Sequence, residues 1–364
     1  MNSYPLPRWA TSFALPLLNL LSALLVAALV IFLLGEQPWQ SMVILVKAAF
    51  LNAEGLGYTL FYASTFIFTG LAVAIALHAG LFNIGGEGQM YMGGLGLSLV
   101  ALSFDATWSP WALIPLAIVA SAVFGAAWAF LPGYLQAKRG AHIVVTTIMF
   151  NFIAASLMNY IIVSHMIGPG QQSTSSRQFL PSAWVPRLNE WLPGLGQSPL
   201  NITLLMALMA LGLYALAIWR TPWGYGVRAV GLNAHAAHYA GVSIKGAVIG
   251  AMMISGALAG LGAVNSEMGS GHHLTLNFTA GAGFIGIAVA LMGRNHPVGI
   301  LLSAILFGGL IQGGFDLSLE KPNIPPETFI FIQGLIILFC GAMENLYAPL
   351  LHRLLQGRQA NAHV

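Results

Sequence analysis

The chain has 364 residues, 57% of them hydrophobic and only 6% charged, with 13 basic and 10 acidic side chains, a net charge of +3 and a mean hydropathy of +0.80. A soluble domain carries about 25% charged residues to face water, so this composition excludes a soluble enzyme, a nucleic-acid binder and a disordered chain. What remains is an all-α, polytopic helical membrane protein. Its single cysteine, Cys340, leaves no intrachain disulfide and no cysteine-based metal centre to expect.

A bilayer core takes about 20 residues of helix, and ten apolar segments meet or approach that length: 11–35, 56–77, 88–104, 110–131, 142–163, 200–219, 246–266, 280–293, 297–315 and 328–347. The first runs uncharged from Arg8 to Gly35, longer than a signal-peptide core and without a small-x-small cleavage site, and is expected to stay as a span. The third and eighth are short and read as candidates for broken or re-entrant helices, which would bring the count of about ten to nine or eleven. With the N-terminus in the cytoplasm, nine of the 13 basic residues fall on the cytoplasmic side and eight of the ten acidic residues outside. The positive-inside bias therefore predicts both termini in the cytoplasm. Residues 1–55 read as the first span plus an outer interfacial segment over 36–55, and residues 56–347 as the main transmembrane domain. Residues 164–199 read as a Gly-, Pro- and Ser-rich outer cap, and 348–364 as a cytoplasmic tail. Five spans followed by five spans allow an inverted repeat on parity alone.

The chain lacks a phosphate-binding GxxxxGK[ST] loop, a metalloprotease HExxH and a hydrolase GxSxG, and no enzyme activity is expected of it. Nearly every charge lies at the end of a span, which argues against a proton relay. The first positive feature is the glycine-rich run from His78 to Gly94. It reads either as a turn joining two spans or as a broken helix whose free N–H groups, with Asn83, Glu87 and Gln89, brace or line a polar path. Glu87 is expected to cap a helix N-terminus or to pair with an arginine, with Gly85 and Gly86 in structural roles. In the fifth span Thr146, Thr147, Asn151 and Asn159 interrupt the apolar run, as do Asn265, Glu267 and Gln312 further on; amides in lipid are costly, so all are expected to face the bundle interior. The second feature spans 220–245 on the cytoplasmic side. Pro222, Gly224 and Gly226 mark a turn, Asn233 caps a short helix starting near Ala234, and Ala234, Ala237 and Gly241 put small residues on one face. Such a helix either lies on its own bundle or docks a cytoplasmic partner. His272 and His273 follow a glycine-rich turn with no carboxylate at ligand spacing, and a surface position is expected rather than a metal site.

GLFNIGGEGQMYMGG, LPGYLQAKRGAHIVVTTIMFNFIA and RTPWGYGVRAVGLNAHAAHYAGVSIKGAVIGAMMISGALAGLGAV together resemble the permease subunits of bacterial ABC importers. The resemblance is to the binding-protein-dependent permease family of simple-sugar, purine-nucleoside and branched-chain amino-acid systems, and covers roughly residues 55–345. It implies alternating access for a small polar solute, a nucleoside or simple sugar, across the bacterial inner membrane. It also implies a separate ATPase subunit that uses the ATP, a second permease subunit and a periplasmic or lipid-anchored solute-binding protein, with no cofactor in this chain. Carried onto these residues, Gly231, Asn233, Ala234, Ala237, His238 and Gly241 form the ATPase-coupling segment, and Phe82, Asn83, Gln89, Thr147 and Asn151 belong to the solute path. A stand-alone secondary carrier or channel is the competing expectation.

Overall fold

The computed structural model describes residues 15–167, 173–325 and 327–342. The predicted tail over 348–364 and the charges of Arg8, Glu344, Arg353 and Arg358 lie outside the described residues. Within them the chain forms thirteen α-helices and no β-strand: α1 (Leu15–Leu33), α2 (Pro38–Val46), α3 (Ala53–His78), α4 (Gly86–Phe104), α5 (Pro110–Arg139), α6 (Ile143–Ile161), α7 (Thr203–Arg220), α8 (Pro222–Leu232), α9 (Ala234–Tyr239), α10 (Ile244–Ala263), α11 (Ala282–Met292), α12 (Pro297–Glu320) and α13 (Glu327–Ala342). Each of the ten predicted segments falls on one of these helices. Six are long and apolar enough to cross a membrane on their own, and a seventh span results if the bent pair around residues 34–37 is counted as one. The protein is thus an all-α, multi-pass membrane protein. The two segments expected to be short differ from the rest for physical reasons: glycines dilute the hydropathy of α4, and α11 has 11 residues, about half a bilayer crossing.

The chain divides into two compact units. The smaller, residues 1–48 and 310–364, packs α1 against α2 and α13. The chain bends by 119° between α1 and the helix that starts at Pro38, and Glu36 in that bend pairs with Lys321 Nζ at 2.9 Å. The larger unit, residues 49–309, carries the features of interest.

Along the chain a long helix, a glycine-bearing break, a shorter helix and a further helix occur twice, as α3–α5 and as α10–α12, the last of these leaving the larger unit after Gly309. Each leading helix lies against the other set. α10 packs on α4 and α5 through glycines: Gly93 abuts Gly260, and Gly125 abuts Gly256 and Gly260. Ser121 Oγ donates to the Gly260 carbonyl at 2.7 Å. α3 packs on α11, where Gly286 lies on Thr69 and Gly70 on Val289. Glycine has no side chain to hold two backbones apart, and without a hydrophobic drive between helices such close approach supplies the packing. α3 is consequently buried on almost every side, whereas α5 and α6 leave most of their apolar surface outward.

Local chemistry sets the ends. Asn52 caps α3 by accepting from Glu54 N–H, and Gly140, with φ +69°, stops α5 just after Lys138 and Arg139. The segment predicted as a cap over residues 164–199 folds into three single turns at Pro181–Ala183, Leu188–Glu190 and Pro193–Leu195; its residues 168–172 lie outside those described. This cap is tied to the turn that follows α10. Val185 N–H donates to Met268 O at 3.0 Å, Phe179 N–H to His272 O at 2.7 Å and Ser176 N–H to Leu274 O at 2.9 Å. His272 is therefore not a surface residue as expected, but buried with its ring stacked on Trp184 at 4.1 Å.

Candidate functional site: a buried polar brace and a capped surface helix

The glycine-rich run resolves into the end of α3 at His78, a turn over residues 79–85, and α4 entering the bundle with every residue from Gly86 to Ser98 buried. An entering helix brings free N–H groups with it. Asn151 on α6 meets two backbone groups at once: Oδ1 accepts from Gly88 N–H at 2.9 Å and Nδ2 donates to Ile84 O at 2.9 Å. Thr147 Oγ1, one turn earlier, accepts from Ile84 N–H at 3.3 Å. Asn83 folds back so that Oδ1 accepts from Gly85 N–H at 2.8 Å, while Nδ2 donates to Gln89 Oε1 at 3.1 Å and to Ser255 Oγ at 2.8 Å. Ser255 on α10 donates onward to Ala72 O at 2.5 Å. The structure thus brings Asn83, Gln89, Thr147 and Asn151 together, all buried, and their polar atoms close on one another and on backbone. Phe82 sits beside them and stays partly exposed.

Glu87 is the anchor on the other side. Oε1 accepts from the Thr279 hydroxyl and from Gly281 N–H at 3.0 Å, and Oε2 accepts from Gly283 N–H at 2.8 Å. These N–H groups open α11. The starts of α4 and α11 meet at Gly86 and Gly283, where a Cβ on Gly86 would lie 3.4 Å from Gly283 Cα. Two positive helix ends face each other there, and one buried carboxylate lies between them. Of the two roles expected for Glu87, helix capping is the one present; the capped helix lies 196 residues away in sequence.

Just beyond α10, Asn265 donates to Phe61 O at 2.8 Å and to Thr65 Oγ1 at 2.9 Å, and accepts from Asn201 Nδ2 at 3.0 Å. Asn265, Glu267 and Gln312 face inward as expected. Asn159 departs from that expectation, being exposed on α6, and Thr146 is half-buried. The reason is helical phase: Thr147, Asn151, Ala154 and Met158 already occupy the inward stripe of α6.

The second candidate surface is the segment of α7, α8 and α9. Thr221 and Pro222 turn the chain sharply, with Thr221 Oγ1 accepting from Gly224 N–H at 3.0 Å and donating to Ala217 O at 2.6 Å. Asn233 Oδ1 accepts from Ala236 N–H at 3.0 Å and caps α9 as its sequence position predicts. Ala237 points inward and is buried, because the α9 face with the smallest residue lets the helix seat on its own bundle. Asn233, Gly231, Gly241 and His238 are exposed and Ala234 is half-buried. Leu232 and Tyr239, 88% and 91% exposed, protrude from the same short stretch. Sequence reading passed over these two because, in a chain so apolar, one more leucine or tyrosine carries no signal.

No group of three metal-binding side chains is clustered among the described residues. Comparison with known proteins then assigns the chain. Residues 55–341 match the family described as the permease component of branched-chain amino acid transport systems. The chain belongs to that family. Over 90% of its length it is 35% identical to the guanosine ABC transporter permease NupP of Bacillus subtilis, covering 92% of that protein. It is 36% identical over 89% of its length to the nucleoside ABC transporter permease NupB of Lactococcus lactis, covering 89% of it, and 32% identical over 93% to the glucose ABC transporter permease TsgB13 of Haloferax volcanii, again covering 89%. Each of these three organisms has a second permease bearing the same solute's name, 28, 26 and 26% identical to this chain respectively. No solved structure matches. As a member of this family the chain is a transport permease and not an enzyme.

Proposed function

We propose that this chain is one of two different permease subunits of an ABC importer that carries a nucleoside or simple sugar across the bacterial inner membrane. The relatives' names supply the solute class, and the identities supply the pairing: in three organisms this chain is distinctly more similar to one permease of a pair than to the other. The charge distribution supports both termini on the cytoplasmic side. The observation that carries the coupling is the seat of α9. Asn233 and Ala237 fix it inward while Leu232, His238 and Tyr239 stand out, a rigid knob on a cytoplasmic loop. A separate ATPase subunit grips that knob, and a solute-binding protein delivers at the opposite face. Phe82 offers an aromatic face to the solute, and Asn83, Gln89, Thr147 and Asn151 hold the wall behind it rather than the solute itself, since their hydrogen bonds are already spent.

ATP hydrolysis in the partner moves the knob, and the permease exchanges one packing for another, opening the path to one side at a time. The test is reconstitution of the permease pair and ATPase in liposomes with binding protein and tritiated guanosine. Accumulation that requires ATP and all subunits is expected. Uphill accumulation by this chain alone would overturn the reading in favour of a stand-alone carrier.

A further inference from the structure

Beneath the α8–α9 knob lies a cluster that neither the polar brace nor the docking surface uses. Tyr214 near the end of α7 donates its hydroxyl proton to Asn295 O at 2.5 Å and lies 3.0 Å from His78 Nε2, at the end of α3. A tyrosine hydroxyl has one proton; with that proton spent on Asn295, the second bond requires His78 to carry hydrogen on Nε2 and donate. Trp219, on the same helix, stands edge-on to both rings, 5.6 Å from each, and 5.9 Å from His296. α8 adds a third contact: Gly231 Cα is pressed on the His78 carbonyl, and a Cβ there would sit 2.8 Å from Gly80 N.

Three features mark this cluster as a junction rather than ordinary packing. First, α7 and α8 form one lever, since Gly224 lies directly on Ala217 and Ile218 and Thr221 bonds to both arms. Second, the lever meets two elements that lead into the brace: the turn over residues 79–85, which opens α4, and the turn over residues 293–296, which closes α11. In the latter Arg294 and Asn295 both hold positive φ, +52° and +56°, a sparsely populated state for side-chain-bearing residues that neighbouring contacts must impose. Third, Asn295 Oδ1, in that same turn, is buried without a hydrogen-bond partner, as is Nε of Arg228 on α8, whose charge acts on His78. Buried polar atoms are rarely left so.

We propose that His78, Tyr214 and Asn295 form the joint through which displacement of the α8–α9 knob reaches the start of α4 and the end of α11, making His78 and Tyr214 positioning residues for coupling. This rests on the ABC reading above. The Tyr214 hydroxyl ties the α7–α8 lever to the turn that closes α11, and His78 ties it to the turn that opens α4. A lever without these bonds still swings, but the inner helices no longer follow.

The test uses the full complex of both permeases and ATPase in lipid nanodiscs. Cys340 is replaced by serine, and an environment-sensitive fluorophore is attached through Ile84→Cys in the turn that opens α4. Binding of ATP with vanadate is expected to shift the emission in the otherwise native complex. Tyr214→Phe keeps the ring but removes the hydroxyl; it should abolish most of that shift and lower guanosine uptake per ATP hydrolysed about tenfold, the scale of one buried hydrogen bond, while ATP turnover stays within about twofold. His78→Leu should behave alike, and His78→Gln, which retains an N–H donor, should recover much of the coupling, so that the pair decides the matter if Tyr214→Phe fails to assemble. An unchanged emission shift in Tyr214→Phe, the absence of any shift in the native complex, or uptake and ATP turnover falling in parallel would each overturn the proposal. Failure of the ATPase to associate at all would instead count against the ABC reading.

Discussion

Two polar clusters lie in the same unit of this molecule and are built to opposite standards. Around Asn151 and Glu87, where α4 and α11 begin, every buried side-chain polar atom has a partner. Around His78 and Tyr214, where α3 and α7 end, a guanidinium nitrogen and an amide oxygen have none. In a low-dielectric interior an unpaired group costs about 1–3 kcal/mol, so a permanent scaffold closes its bonds. The first cluster is built as a fixed brace, the second as a joint.

The comparison breaks most visibly at Glu87. Glu87→Leu strips three donors of their acceptor and leaves two positive helix ends facing, which should cost on the order of 3 kcal/mol. The permease should then be recovered from detergent in much reduced yield and melt well below the native chain. Asn151→Leu, which unpairs Gly88 N–H and Ile84 O, should cost about 2 kcal/mol, read as a lower melting temperature of the purified permease. If either variant melts like the native chain, the brace is not a brace. Leu232→Ala with Tyr239→Ala touches neither cluster. It should leave melting unchanged and weaken ATPase retention on an affinity column about tenfold or more, the effect of losing protruding anchors.

The smallest effect belongs to the ion pair between Arg177 and Asp105, 2.7 Å apart, with the carboxylate buried and the guanidinium half exposed. The Arg177 hydrogen bond holds the Asp105 carboxyl below its ordinary value, aided by Leu180 N–H. A lowered folded value means that this contribution is complete above pH ~4 and fades as pH falls through the folded value. Asp105→Asn should therefore flatten the acid limb of a melting-temperature profile below pH ~4 and change melting at pH 7 by under about 1 kcal/mol, given solvent screening of the exposed partner. An acid limb unaltered by the substitution would remove the pair from the account.

Some local features of the candidate site are legible in the sequence. Asn233 declared itself as a cap because an Asn before a small-residue run offers an oxygen to the N–H groups of the next turn, and the structure has that bond. The glycine run announced an interruption after His78, and the amides of α6 announced a polar interior. Other features were illegible for identifiable reasons. Glu87 names no partner locally, because its acceptor bonds go to Thr279, Gly281 and Gly283. Ala237 reads as a contact residue by size, yet its direction follows from the phase of α9 on its bundle. Asn159 and His272 reversed their expected exposures, the first because α6 has a single inward stripe, the second because Trp184 covers its ring.

Residue types and their order along the chain settled that this protein lives among lipids, where its apolar segments run and which residues interrupt them, since transfer of side chains from water depends on residue type and needs no distant neighbour. Which interruption meets which was decided only by the tertiary fold: glycines let α10 and α3 close on the helices of the opposite set, and that approach places Glu87 between two helix ends and Tyr214 between two turns. Hydrogen bonds act over about 3 Å, so pairings across some two hundred residues exist only once the chain has packed.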